Sequence, residues 1–219
     1  MKNKFSKITT LILIVFAIVS CKKTINKTEA TSAEEVTKVE GKAKKFQADT
    51  ENSVILWKGS KIGDSRLGTL HISEGNLTLV NGKLTGGDFV IDMNTIKDTD
   101  IEDEKKNAQI TGHLKSSDFF DVAQFPTATF TITNVNEEIG MDMIKGNLTI
   151  KGIEKSIEFP AATTVNGNEV LFKSEPFTID RTAWNVKFNS GKFFDNLKDK
   201  LIKDEIELTV EIKAKKEAL

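Results

Sequence analysis

The most constraining feature of this chain is a strict two-residue alternation near its carboxyl end. Residues 206–212 read Ile-Glu-Leu-Thr-Val-Glu-Ile, with an apolar side chain at every second position. Because successive side chains of a β-strand point to opposite faces of a sheet, one face of this segment is expected in a core and the other in water. The segment is therefore predicted to be a strand of a half-buried sheet.

The same alternation recurs in short segments along the chain, at 77–79, 88–93, 129–133, 145–150, 156–159 and 177–180. Turn signals separate these segments, at 74–76, 81–82, 86–87, 151–152 and 166–167. Many short strands at this spacing predict an antiparallel barrel or sandwich. Residues 95–126 do not show this alternation. There the sequence predicts a helical insertion between Ile101 and Leu114, able to cover one barrel mouth, and a short turn capped by Ser117.

The amino terminus predicts export and lipid attachment. Three lysines, at positions 2, 4 and 7, precede a run of nine apolar residues at 11–19 and the small residue Ser20. At about 1.5 Å per residue the run covers about half of a bilayer core, which is too short for a transmembrane helix. These are the parts of a secretory signal peptide. Residues 18–21 resemble a bacterial lipobox, so we predict acylation of Cys21; the alternative is an ordinary signal peptide with a chance cysteine.

Three parts are therefore predicted: a signal peptide at 1–20, a lipidated cysteine with a flexible tether at 21–45, and a folded domain at 46–219. The tether has too little apolar surface to offset its ordering entropy, and a weak amphipathic helix is the alternative. Removing residues 1–20, which hold three lysines and no acid, takes the formal charge from −1 to −4. This charge gives no basis for nucleic-acid binding. One cysteine and two histidines make disulfides and zinc sites improbable.

Three segments of the domain match a known pattern in order and spacing: GHLKSSDFFDVAQFPTATFTI, then IKGNLTIKGIEKSIEFPA, then FTIDRTAWNVKF. They resemble the YceI-like family, and the resemblance covers about residues 50–215. It implies an all-β fold, an eight-stranded antiparallel lipocalin-like barrel with a short helical insertion. It also implies an elongated apolar cavity for a polyisoprenoid or isoprenoid-quinone-like lipid. Many members carry an Arg-Asp pair where this chain has Thr111 and Gly112, which leaves the preferred headgroup open.

Alternation places one strand residue in two inside a barrel, where side chains either fill a solid core or line a cavity. The pattern alone leaves both open, and the resemblance favours the cavity. Phenylalanine is frequent, with 14 residues, and tyrosine is absent, so the walls would suit a hydrocarbon tail. The predicted apolar lining is Phe89, Ile91, Met93, Phe130, Ile132, Leu148, Ile150, Phe177, Ile179, Leu208 and Val210.

The polar residues give no positive evidence for catalysis. The sequence holds no nucleophile elbow, phosphate loop or dinucleotide fingerprint. The acidic run at 98–104 lacks the glycine and glutamate of a calcium loop and is expected to be solvated. His113, near Asp118 and Asp121, could serve in acid–base work or hold a ligand headgroup, and a structural role is favoured. Arg181 could pair with a buried acid or hold a ligand headgroup. We therefore expect no enzyme, no cofactor and no metal.

Together these features predict an envelope lipoprotein that carries or stores a long apolar lipid inside a barrel. A rigid scaffold with a filled barrel is the alternative, and an enzyme acting on the bound lipid is a weaker third reading. The expected partners are the lipid and, through Cys21, the membrane; nucleic acid is not expected, and the resemblance permits a homodimer. Lys22 follows the cysteine and no acidic run comes directly after it, which favours the outer membrane, facing the periplasm.

Overall fold

The structure is a computed structural model that describes residues 25–216. In this range every segment predicted to be a strand lies within one. The elements are β1 (Asn26–Lys27), β2 (Ala43–Ala48), β3 (Val54–Lys61), β4 (Asp64–Val80), β5 (Lys83–Asp98), α1 (Glu104–Lys115), β6 (Thr127–Glu138), β7 (Met141–Ile150), β8 (Ile153–Asn166), β9 (Glu169–Ser174), β10 (Phe177–Asp180) and β11 (Glu205–Lys216), with 3₁₀ turns at Arg181–Trp184 and Lys198–Lys200.

The strands close into a ring of eight positions. From β4 to β9 each strand pairs antiparallel with the next, and β11 closes the ring by pairing with β9 on one side and β3 on the other. Two positions are shared between two strands: β2 and β3 both lie between β4 and β11, and β10 continues the line of β9 along β11. The predicted eight-stranded antiparallel barrel with a short helix is confirmed.

Two of the predicted turns lie inside long strands. The turns at 81–82, 151–152 and 166–167 are present, with positive φ at each glycine, but 74–76 lies within β4 and 86–87 within β5. The β4–β5 register shifts close to both sites. A Cβ at Gly75 would come within 2.4 Å of the Phe89 ring. Glycine is needed there because an inward aromatic ring packs directly on the backbone, and the strand continues past it.

The acidic run after β5 satisfies backbone donors around the start of α1. The Asp98 carboxylate accepts hydrogen bonds from the backbone N–H groups of Asp100 and Ile101, at 2.9 and 3.0 Å. Asp103 caps the helix by accepting from the backbone N–H of Lys106 at 2.9 Å. At the other end, Ser116 donates its hydroxyl to the His113 carbonyl at 2.8 Å and closes the helix. The following turn is thus held by Ser116 rather than Ser117.

Part of the predicted tether lies against the barrel. β1 pairs in parallel with β10, and Thr31 forms an antiparallel bridge with Ser156 of β8. Between these contacts the buried Thr28 donates its hydroxyl to the Glu158 carbonyl at 2.6 Å. Residues 26–31 therefore occupy the space between β10 and β8, where these two strands do not pair with each other.

The same segment continues across the outer face of β7 and β6. The Asn147 side chain accepts from the backbone N–H of Glu34 at 3.0 Å and donates to its carbonyl at 2.9 Å. Lys145 forms an ion pair with the Glu34 carboxylate at 2.7 Å, and the Thr37 N–H donates to the Thr133 carbonyl at 2.8 Å. We call residues 26–37 the strap.

The prediction of a flexible tether does not hold for the strap, because backbone hydrogen bonds rather than apolar burial hold it in place. The strap covers three buried polar residues of the barrel, Thr133, Asn147 and Ser156. It bonds the side chain of Asn147 but only the backbone of Thr133 and Ser156, whose hydroxyls have no hydrogen-bond partner. The predicted signal peptide and Cys21 lie outside the described residues.

Candidate ligand cavity

A cavity of about 490 Å³ lies inside the barrel. This volume is within the range of about 300–1,000 Å³ that is usual for small-molecule sites. Most of its wall consists of inward-facing apolar side chains from β3 to β11. The barrel interior is therefore lined and only partly filled, in contrast to a solid core.

Ten of the eleven residues predicted as apolar lining lie on the cavity wall: Phe89, Ile91, Met93, Phe130, Leu148, Ile150, Phe177, Ile179, Leu208 and Val210. The exception is Ile132, which is fully buried in the hydrophobic core and does not reach the wall. Ile132 is the next inward-facing residue after Phe130 on β6, and its partner on β7 is Gly146. The Phe130 ring packs against Gly146 so closely that a Cβ there would come within 2.4 Å of it. The ring therefore fills the space beside Ile132. Contact of the ten residues with a ligand stays a prediction.

Aromatic rings form a continuous part of the wall. Phe159 and Phe177 stack at a centroid distance of 4.2 Å with an interplanar angle of 5°, and Phe130 lies 5.6 Å from Phe159. The two tryptophans on the wall have their polar N–H groups occupied: Trp57 donates to the Thr69 carbonyl at 3.3 Å, and Trp184 donates to a β7 carbonyl at 3.0 Å. The wall thus presents hydrocarbon surface even where the side chains carry a polar atom.

Sequence reasoning missed the part of the wall that comes from β3, the first half of β4, and β9. The residues concerned are Ile55, Trp57, Leu70, Ile72 and Phe172. In β3 the signal is hidden because the outward Leu56, between Ile55 and Trp57, is also apolar and is exposed. In β9 the signal is hidden in the same way, because the outward Leu171 between Val170 and Phe172 is also apolar and exposed.

The polar lining residues all belong to one end of the barrel. Most come from the hairpin between β3 and β4, including Lys61 and Arg66, and from residues 185–204 between β10 and β11, including Asn189 and Lys200. His113 of α1 and Arg181 after β10 complete the set. The two segments are joined by a bridge between Lys61 and Ile202 and by a 2.8 Å hydrogen bond from the backbone of residue 203 to that of residue 60. This end is the mouth of the cavity.

His113 lies at the mouth and joins the helix to the segment 185–204. Its Nε2 is 3.1 Å from a carboxylate oxygen of Asp118, and its ring meets those of Phe119 and Phe188 edge-on, at centroid distances of 5.0 and 4.8 Å. These contacts fix the ring in the cavity wall, and whether His113 is structural or holds a headgroup stays a prediction. Thr111 hydrogen-bonds within the helix, and neither it nor Gly112 is part of the cavity wall.

Arg181 is buried, with 2% of its surface exposed, and its donors are directed to the protein. Its Nε, Nη1 and Nη2 donate to the backbone carbonyls of Lys203, Val186 and Ile202 at 3.1, 2.7 and 3.1 Å, and Nη2 lies 3.5 Å from Asp204. Burial lowers the pKa of Arg181, and the Asp204 and Asp180 carboxylates partly offset that effect. Arg181 thus lies beside Asp204 and also forms part of the cavity wall, and its role in holding a ligand headgroup stays a prediction.

Within residues 25–216, no group of three or more His, Cys, Asp or Glu side chains is arranged to hold a metal ion. Over the same range, no helix has the length and apolar character needed to cross a membrane.

An antiparallel barrel closed around an apolar cavity, with polar residues at one mouth, defines the class of lipocalin-like barrels. Within that class, the chain belongs to the YceI-like domain family, whose sequence profile matches residues 24–214. The family predicted from the sequence motifs is thus confirmed. Protein YceI of Salmonella arizonae is 29% identical over 128 residues, which cover 57% of this chain and 63% of that protein. The alignment therefore spans less than two thirds of the relative.

Solved structures share the fold at low identity. The crystal structure of Burkholderia cenocepacia BcnA has a TM-score of 0.62 and 20% identity, covering 76% of this chain and 99% of that one. A polyisoprenoid binding domain from Saccharophagus degradans, implicated in plant cell wall breakdown, has a TM-score of 0.57 and 13% identity, covering 78% of this chain and 98% of that domain. At these identities the likeness concerns the fold alone.

Proposed function

We propose that this protein binds a long apolar lipid of the polyisoprenoid or isoprenoid-quinone type inside its barrel, as a carrier or store. The apolar cavity of about 490 Å³ carries this proposal, because a cavity with hydrocarbon walls and a polar mouth suits a molecule with a hydrocarbon tail and a polar head. The polyisoprenoid-binding neighbour supports the same ligand class through its fold. The open interior favours this function over a scaffold with a filled barrel.

The proposal includes an envelope location. The basic, apolar and small residues before Cys21 support acylation of that cysteine and attachment to the outer membrane on its periplasmic side. Stable attachment would need more than one acyl chain, since a single chain gives only marginal membrane binding. A carrier of membrane lipid would gain from being held next to the membrane that supplies it.

The test is extraction of the purified protein with organic solvent, followed by mass spectrometry. We expect a stoichiometric long-chain apolar compound, which is lost or reduced when Val210→Trp places a large ring in the cavity. The matched control is Leu171→Trp, an exposed position on the outer face of β9, where the same ring should leave the extracted amount unchanged. A consistently empty wild-type protein, or equal loss in both variants, would contradict the proposal.

A further inference from the structure

We propose that the mouth of the barrel docks directly on a bilayer that contains anionic lipids. The docking surface, called the rim here, consists of the β3–β4 hairpin tip at residues 61–64 and the segment 185–204. The inference rests on the proposed function, because a lipid that enters or leaves the cavity has to pass this mouth. It adds the partner that faces the mouth and the residues that contact it.

Three large apolar side chains project from the rim into solvent. Ile62 at the hairpin tip is 63% exposed, and Phe193 and Phe194 are 47% and 50% exposed. The two phenylalanines lie in a tight turn, in which both of their N–H groups donate to the Ser190 carbonyl at 3.1 and 3.0 Å. The hairpin and the segment are bonded to each other beside the cavity opening, so all three side chains lie at the same end of the barrel. Exposed apolar side chains that lie next to each other mark interaction surfaces, and Phe193 and Phe194 are such a pair.

The charge of the rim favours an anionic partner. The segment 185–204 contains five lysines and three aspartates, in a chain whose formal net charge is −1. Lys192 is ion-paired with Asp180 and Asp204, and the hairpin tip adds one lysine and one aspartate. The rim therefore keeps a small excess of lysines, mainly Lys187, Lys198, Lys200 and Lys203 against Asp195 and Asp199. Lys187 lies over the Phe193 ring, 4.6 Å from its centroid, which places a cation next to an exposed aromatic side chain. Exposed aromatic and aliphatic side chains among lysines are typical of surfaces that bind the bilayer interface.

The opposite end of the barrel provides a contrast. Ile139, at the tip of the β6–β7 hairpin, is fully exposed, but its neighbours in sequence are Glu137, Glu138 and Asp142. Lys83 pairs with Glu137 at 2.5 Å, and Glu138 and Asp142 leave this tip without the excess of lysines that an anionic membrane would attract. Exposure of an apolar side chain is therefore common to both ends, whereas its combination with an excess of lysines and with the cavity opening is found at the rim.

Tryptophan substitution in the full-length protein tests the docking. Phe193→Trp and the control Ile139→Trp place the same reporter at the two ends, and the native Trp57 and Trp184 are buried and give the same background in both. Vesicles of phosphatidylcholine and phosphatidylglycerol carrying brominated acyl chains should quench the reporter at 193 and leave that at 139 unquenched. Each of Lys198→Gln and Lys200→Gln should weaken binding to these vesicles by about fivefold at low salt, with little effect on neutral vesicles.

The proposal is overturned by equal quenching at both positions, by none at 193, or by a Phe193→Ser/Phe194→Ser variant that loses a dimer in light scattering while position 193 stays unquenched. The last result would assign the rim to a second copy of the chain. Solvent extraction separates this test from the proposed function. Quenching at 193 in a protein whose cavity is empty removes the ligand proposal and keeps the docking surface, whereas extracted lipid without quenching does the reverse.

Discussion

Arg181 provides the sharpest test of how the mouth is built. The change Arg181→Met keeps much of the side-chain length and removes every donor. Three backbone carbonyls, at Val186, Ile202 and Lys203, lose their partner, and the carboxylate of Asp204 loses the buried cation beside it. Because the three carbonyls belong to the segment 185–204, one side chain fixes both ends of that segment to the barrel wall.

The expected loss of unfolding free energy follows from the burial of the Arg181 side chain. Removing one partner of a buried ion pair costs about 3–5 kcal/mol when the other charge is left uncompensated; Asp204 keeps Lys192 at 3.6 Å, so only part of this cost applies here. A buried carbonyl without a partner costs about 1–3 kcal/mol, although local rearrangement and water recover part of that. We therefore expect a loss of about 3–5 kcal/mol for Arg181→Met, a large share of the roughly 5–15 kcal/mol that stabilises a domain.

Urea unfolding monitored by tryptophan fluorescence measures this loss. Arg66, the only other arginine, is the matched control: it is partly exposed, pairs with Asp64 at 2.8 Å, and should cost at most about 1 kcal/mol as Arg66→Met. In a double-mutant cycle with Asp204→Asn, the two losses should be less than additive, because the second change removes the charge left unpaired by the first. A loss below about 1 kcal/mol, or strictly additive losses, would refute the buried-pair argument.

Three further predictions concern the strap, the acid stability and the cavity wall. Asn147→Ala removes two hydrogen bonds to the strap, so faster amide exchange is expected across residues 31–37, with a loss of about 1–2 kcal/mol in urea unfolding. Burial raises the pKa of Asp180, but hydrogen bonds from Lys192 and Thr182 outweigh it and the net pKa is lowered. Its stabilising effect is therefore complete above the unfolded pKa of about 4 and is lost as the pH falls through the lower folded value, so Asp180→Asn should destabilise more at pH 7 than at pH 3. Trp184→Phe leaves a buried β7 carbonyl without its donor and should cost about 1–3 kcal/mol by thermal unfolding, without removing the aromatic wall.

The strands that the sequence predicts well are those with one polar and one apolar face. Residues 206–212 of β11 show this because their outward positions are Glu and Thr. β3 lacks the signal, since apolar residues occupy both faces around Ile55 and Trp57. The long β4 and β5 are interrupted in the sequence by glycines that resemble turns, although Gly75 serves the packing of an aromatic ring. Local sequence does not distinguish a glycine that ends a strand from one that admits a neighbour.

The strap was missed for a different reason. The prediction of a flexible tether depends on apolar burial, and residues 26–37 bury little apolar surface. They are held by backbone hydrogen bonds to strands far away in sequence. The side-chain amide of Asn147 adds two hydrogen bonds, one to the backbone N–H and one to the carbonyl of Glu34. A hydropathy pattern cannot report such contacts. The clue in the sequence was a set of small polar residues, Thr133, Asn147 and Ser156, at positions that become buried.

The strap also changes how the proposed anchor would act. A free tether would leave about two dozen residues between Cys21 and the barrel, but the backbone of Asn26 already bonds to the Pro176 carbonyl at 3.4 Å. The five residues 21–25 then span at most about 18 Å. β10 begins next to that contact and, at about 3.3 Å per residue, covers about 13 Å, after which the 3₁₀ turn at Arg181–Trp184 leads into the rim segment. If Cys21 carries the lipid, both lengths place the rim within reach of the same bilayer. Anchor and rim would then act together, the first setting the distance and the second the orientation.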